Sequence, residues 1–186
     1  MIYIALLRGI NVGGKNKVKM ADLKQTLELM GGLSRVQTYI QSGNVLFEAN
    51  EEEEPLRERI EHRLEAAFGF SITVVLRTFD ELKRIAAHCP FSDEEVAEAE
   101  AASDAESLYV SFLLEEPLPE KAERLKGYQS ENDMYHIVGR EIYLLFRYSV
   151  RDSKLATNLH KLDVPATIRN WKTVNKLLAL GTAMEA

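Results

Sequence analysis

One cysteine, Cys89, is too few for any intramolecular disulfide, so the core has to be held by burial alone and the chain fits a reducing compartment. Nowhere do about eighteen apolar residues follow one another, the length a membrane-spanning helix requires. The opening MIYIALLR has a short apolar run with no basic region before it, so an export signal is not expected either. Together these absences lead us to expect a cytoplasmic protein without a membrane partner. The 4 histidines show no metal-ligand spacing with Cys89 or with paired carboxylates, and we expect no metal and no cofactor. Acidic residues are missing from Met1 to Ala21, where the charges are Arg8, Lys15, Lys17 and Lys19. That gap stands out in a chain whose net charge is -6.

What is present describes an ordinary globular chain. Its 186 residues are 46% hydrophobic and 28% charged, too aliphatic for disorder. At this length roughly 70% of the unfolded surface can be buried. The negative balance argues against non-specific nucleic-acid binding as the main task, because a phosphate backbone is attracted by basic surface. A second basic stretch, with Arg169, Lys172 and Lys176, runs from Val164 to Ala183. The acids concentrate at Glu51–Glu54, where they complement a helix N-terminus, and from Asp93 to Glu106, which reads as a solvated linker.

Along the chain the apolar period alternates between two and about 3.6. Ile2 to Leu7 predicts a strand, and Leu23, Leu27 and Met30 mark a helix that Gly31 and Gly32 end. Val36–Ile40 and Val45–Phe47 predict a hairpin joined through Gln41, Ser42, Gly43 and Asn44, since Gly and Asn tolerate positive φ. Leu56, Ile60 and Leu64 give a second helix, Phe70, Ile72, Val74 and Leu76 a further strand, and Thr78 with Glu81 a capping box. The same order returns after the acidic stretch, ending in a helix from Trp171 with Asn170 as its N-cap and Trp171 as its first buried residue.

The expected fold is therefore α+β, a duplicated ferredoxin-like architecture with βαββαβα repeated and antiparallel sheets carrying helices on one face. Its domains are residues 1–90, an acidic linker at 91–106, and a second repeat at 107–186. The repeat rests on element order, with no residue-level identity seen between the halves. In this topology the loop after the first strand and the turn between the second and third lie at one end of the sheet. GINVGGKNK and QSGN should be neighbours.

Gly9, Gly14 and Lys15 fill the pattern G-x-x-x-x-G-K. A Walker A loop also needs a Ser or Thr after its lysine and a helix beginning there, and here Asn16 follows and four residues intervene before helical periodicity starts. A P-loop is not expected. Gly13 and Gly14 can still present backbone N–H groups to an anion, with Arg8 and Lys15 adding charge. The candidate ligand-binding set is Arg8, Asn11, Gly13, Gly14, Lys15, Ser42 and Asn44, weighed against a purely structural turn.

The segments ALLRGINVGGKNKVKM, TYIQSGNVLFE, REIYLLF, DSKLA and VPATIRNWKTVNKL resemble the conserved blocks of a bacterial family, domain of unknown function 1697. The resemblance spans the chain and implies a duplicated ferredoxin-like architecture; it implies no activity. The Glu-rich linker and Asp163, where a glycine is common, depart from the pattern.

In RNWKT the plain reading is a capped amphipathic helix; the sharper one aims Arg169 and Asn170 at an anion with Lys154 nearby. Ser153 reads as a helix-end hydroxyl, and no catalytic residue is assigned. The expected partner is a small anionic or nucleotide-like ligand; the alternatives are a nucleic-acid module using the same loop or a structural, protein-binding role. Whether the chain is an enzyme, and its oligomeric state, are not legible in the sequence.

Overall fold

The computed structural model describes all residues from Met1 to Ala186. In chain order the elements are β1 (Ile2–Leu7), α1 (Met20–Leu29), β2 (Ser34–Tyr39), β3 (Asn44–Glu48), α2 (Glu53–Phe68), β4 (Val74–Thr78), α3 (Phe79–Ala87) and α4 (Asp93–Ala102). They continue as β5 (Leu108–Leu113), α5 (Pro119–Ala122), β6 (Asp133–Val138), β7 (Glu141–Phe146), α6 (Lys154–Thr157), β8 (Ala166–Asn170) and α7 (Trp171–Glu185). Short 3-10 segments follow α5 at Glu123–Tyr128, precede α6 at Val150–Asp152 and follow it at Leu159–Leu162. The fold is mixed α+β, with two four-stranded antiparallel sheets ordered β2-β3-β1-β4 and β6-β7-β5-β8.

The chain divides into two units, Met1–Arg84 with Asn175–Ala186, and Ile85–Val174. In the first, Tyr3, Ala5 and Leu7 of β1 and Val45 and Phe47 of β3 meet Leu23 and Leu27 of α1 and Leu56, Ile60 and Leu64 of α2. The 3.6-residue spacing on the helices and the two-residue spacing on the strands put these side chains on facing surfaces. Burying each large aliphatic contributes about 1.5–3 kcal/mol, more than either helix gains from propensity. Gly69 stops α2 in the left-handed region at φ 82, its N–H bonding Glu65 O at 2.9 Å. In the second unit Leu113, Ile142, Leu144 and Phe146 meet Leu125, Leu155 and Leu162 in the same manner.

Three elements depart from the expectation. Phe70 and Ile72 keep the strand-like alternation, yet β4 begins only at Val74, opposite Leu7. β1 ends there; one further bond, Arg8 N–H to Thr73 O, continues the pairing, and Ile72 is buried without being in the strand. The acidic segment is largely the helix α4, started by a reciprocal capping box between Ser92 and Glu95. Trp171 is only half-buried; the inward positions of α7 are Thr173, Val174, Leu177 and Met184. The last part of α7 groups with the first unit. Three contacts explain it: Lys83 pairs with Glu185 at 3.1 Å, Arg35 donates to Met184 O at 2.7 Å, and Gly181 lies against the Phe79 ring.

Within the second unit Tyr143 of β7 is 1% exposed and donates its hydroxyl to Ile85 O at 2.7 Å. Burial first, then the charges of Glu141 and Cys89, pushes the phenol up to about 12 from 10.0. The folded state thus favours the neutral ring. Its contribution is fully present below the unfolded phenol pKa and is lost as pH rises through the window from 10.0 to about 12. Urea denaturation across that window should show falling stability, and Tyr143→Phe should flatten the fall while losing about 1 kcal/mol at neutral pH. A Phe variant with the parent's alkaline slope would assign the transition to other groups.

Candidate functional site

β1 delivers the chain to residues 8–19, and Gly9–Asn16 fold back on themselves. Asn11 N–H bonds Asn16 O at 3.1 Å and Lys15 N–H bonds Val12 O at 3.0 Å. Gly13 and Gly14 form the tip with φ 58 and 75. Positive φ at both central residues is the signature of a type I′ turn, which glycine adopts without a Cβ penalty. The stretch is a miniature hairpin. Its lysine amide is spent on Val12 and α1 starts only at Met20, so no ring of N–H groups cradles a phosphate as in a P-loop.

The loop and the QSGN turn are neighbours. Asn11 Nδ2 donates to Gln41 O at 2.8 Å and to Val18 O at 2.9 Å, while its Oδ1 accepts from Val18 N–H at 2.8 Å. Leu7 N–H bonds Gly43 O at 2.9 Å, and Asn16 Nδ2 donates to Gly9 O at 3.2 Å. Asn44 is fully buried, with Nδ2 donating to Tyr39 O at 2.9 Å and Ser42 Oγ at 3.0 Å. Asn11 and Asn44 therefore hold backbone; their amides fix the shape of whatever the loop presents.

What the loop presents is basic. Arg8, Lys15, Lys17 and Lys19 are exposed and form no ion pair, and the N–H groups of Gly13 and Gly14 have no partner within the protein. Some exposed cations elsewhere are paired, Arg35 with Glu48, Lys83 with Asp80, Lys126 with Glu123 and Arg124 with Asp163, whereas this loop carries its cations with no acid among them. The apolar Val12 of the loop and Ile40, next to the QSGN turn, are 65% and 47% exposed.

Lys154, Arg169 and Asn170 belong to the other unit. Lys154 is exposed at the start of α6. Arg169 is 7% exposed, its Nη1 donating to Thr167 Oγ1 at 2.7 Å and Ile168 O at 2.9 Å, and burial lowers its pKa to about 10, so it stays charged at neutral pH. Asn170 Oδ1 accepts from Thr173 N–H at 2.9 Å, the N-cap role. Ser153 donates to Asp133 Oδ2 at 2.9 Å and caps α6 through Ala156 N–H, with no histidine in its hydrogen bonds. Asp163 stands at φ 55, which explains why glycine suits that position. Lys121 foremost, then Arg124, holds its carboxyl below the usual range.

Equivalent positions in the two units match more closely than the sequence suggests. Arg8 N–H bonds Thr73 O and Leu114 N–H bonds Pro165 O, both at 3.0 Å; Leu7 N–H bonds Gly43 O and Leu113 N–H bonds Arg140 O, both at 2.9 Å. Arg77 and Arg169 are both buried, and each guanidinium donates to the preceding carbonyl at 2.9 Å. The next residue, Thr78 or Asn170, caps a helix. Leu76-Arg77-Thr78-Phe79 against Ile168-Arg169-Asn170-Trp171 is the residue-level signal that element order alone missed. At the position of the basic loop the second unit has Glu115 and Glu116 in a short link to α5.

The fold defines an α+β protein of two four-stranded antiparallel sheets with a basic glycine hairpin at one sheet end. The chain belongs to the family described as protein of unknown function (DUF1697), whose model matches residues 1–143. DSKLA and VPATIRNWKTVNKL lie beyond the matched residues. A solved structure of a conserved bacterial protein from Streptococcus pneumoniae is similar at a TM-score of 0.71 and 29% identity, covering 96% of this chain and 97% of that one. No curated protein matches the chain. No helix is long and apolar enough to cross a membrane.

Proposed function

We propose that the glycine hairpin after β1 is a binding site for small anions, phosphate-bearing compounds of the cytoplasm among them. Arg8 and Lys15 supply charge and the Gly13 and Gly14 N–H groups supply donors. The observation that carries the reading is the clustering of Arg8, Lys15, Lys17 and Lys19, exposed, without ion pairs and with no acid among them, on a loop whose backbone is locked. Locking matters because a preorganised loop loses little entropy on binding. Asn11, Ser42 and Asn44 act as its scaffold. We also read the architecture as two ferredoxin-like repeats, residues 1–90 and 107–186 around the acidic segment 91–106. Equal strand orders and the matched Arg77 and Arg169 positions support duplication. On that reading the loop is what the first repeat has and the second lacks, as expected of a functional addition to a shared frame. Lys154, Arg169 and Asn170 would serve the second repeat's own frame, Arg169 through its buried charge.

Calorimetric titration with phosphate, sulfate and nucleotides, with and without Mg²⁺, tests the site. Binding should be weak, on the order of millimolar, and insensitive to Mg²⁺, because no hydroxyl follows Lys15 to hold a metal. Replacing Arg8 and Lys15 together by alanine should weaken it at least about tenfold without changing the unfolding midpoint, since both side chains are exposed. Absence of anion binding, or binding that survives the double replacement, would leave the hairpin a structural turn. A steep loss of polynucleotide affinity with salt would move the assignment to nucleic acid.

A further inference from the structure

β2 and β6 are the corresponding outer strands of the two sheets, and they are treated differently. The register of β2 slips between Ser34 and Gln37, and Arg35 there has φ 53. Its guanidinium spans Glu48 and Met184 O. Irregularity and charge of this kind are how natural sheets protect an edge. β6 has no such device. It pairs with β7 in unbroken register from Asp133 to Val138, with Gly139 closing the hairpin.

The direction of its outer polar groups follows from the ladder. Arg147 N–H bonds Asn132 O, so residues 134, 136 and 138 exchange bonds with β7, and residues 133, 135 and 137 point outward. The Asp133 carbonyl is taken by Ser130 N–H at 2.9 Å. The outward groups of Tyr135 and Ile137 have no partner within the protein. A groove of about 800 Å³ runs beside them, lined by Ala122, Lys126, Met134, Tyr135 and Ile137 among others. Val138 at the strand end is 48% exposed.

We propose that β6 is a self-association edge, on which a second copy of this chain adds its own β6 antiparallel about a two-fold axis through His136. This strand is its own complement. A two-fold axis normal to the sheet keeps faces matched, and centring it on His136 sets Tyr135 opposite Ile137 of the second copy in both halves. Each such pair can exchange both of its outward N–H···O bonds. The same register sets Met134 against Val138 of the second copy, covering the exposed aliphatic with another apolar side chain. A contact built mainly on one strand buries less than a permanent dimer requires, so the association is concentration-dependent.

Sedimentation velocity from about 10 µM to about 1 mM should show the weight-average mass rising from monomer toward dimer. Hydrogen exchange at the two extremes should show the Tyr135 and Ile137 amides slowing with concentration. Val138→Lys, an exposed position that leaves the ladder to β7 intact, should weaken association at least about tenfold without lowering the unfolding midpoint. Ile137→Pro removes an outward N–H while sparing every bond to β7 and should weaken association too, with some loss of stability because Ile137 packs on the core. A parent protein monomeric throughout overturns the proposal, whether or not the edge accepts a foreign strand. So does a dimer that persists in Val138→Lys with Tyr135 and Ile137 amides unprotected.

Discussion

Gly43→Ala is expected to destabilise the first unit by about 3 kcal/mol, the sum of two costs. Gly43 holds φ +87, a region where a Cβ costs about 1–2 kcal/mol. A Cβ there would also stand 2.7 Å from Ile10 Cδ1 and 2.9 Å from Leu7 Cβ. The first atom can swing away; the second is fixed to β1 and cannot, so the turn must withdraw and strain the Leu7 N–H bond to Gly43 O. Gly13→Ala separates the terms, because Gly13 has φ +58 with nothing within 4 Å of a Cβ, and should cost only about 1 kcal/mol. Urea denaturation of both variants is the measurement. Equal losses would show that the close approach of turn and loop carries no energy. If the anion site is as proposed, Gly43→Ala should also weaken phosphate binding, since the turn holds Asn11 through Gln41 O.

For Gly181→Ala two effects of opposite sign compete, and packing is expected to win. In a helix interior alanine is worth about 1 kcal/mol over glycine. Here, however, the new methyl would lie 2.3 Å from Phe79 Cε2 and 2.5 Å from Cδ2. The ring is 3% exposed, so moving it aside disturbs the packing around it. Overpacking of this kind costs about 1–3 kcal/mol, so a net loss near 1–2 kcal/mol should appear in thermal or urea unfolding. Coupling to Phe79→Leu in a double-mutant cycle should recover part of it, because the smaller side chain removes the overlap. A stabilised Gly181→Ala variant would show that α7 can slide over Phe79 at little cost.

Turn and cap chemistry made several features readable in the sequence. Thr78 and Glu81 signal a reciprocal cap, and the structure has it, with Glu81 N–H on Thr78 Oγ1 at 3.1 Å and Thr78 N–H on Glu81 Oε1 at 3.1 Å. The Gly13-Gly14 pair signals backbone at positive φ, and Asn16 in place of a hydroxyl argues against a P-loop; both are local chemistry. Ser92 and Glu95 carry the same capping signature as Thr78 and Glu81, but the run of acids around them reads as solvated linker and hides a helix. Trp171 reads as the first buried residue of an amphipathic helix, whereas the buried positions of α7 include Thr173, Val174 and Leu177. β4 starts later than the alternation from Phe70 suggests, because alternation reports burial and a strand also needs a neighbour to bond.

By itself the sequence determined the α+β element order, the alternation of helix and strand periods, the capped helix starts and the basic, acid-free character of residues 1–21. All of these follow from side-chain chemistry within a few residues along the chain. Tertiary structure alone decided which polar groups are spent. It turned Asn11 and Asn44 into backbone clamps, buried Arg77 and Arg169 at equivalent places, left Arg8 and Lys15 without partners and left the outer edge of β6 open. Whether a donor or a charge is satisfied depends on residues distant in sequence that the fold brings within about 3 Å, and no local pattern carries that information.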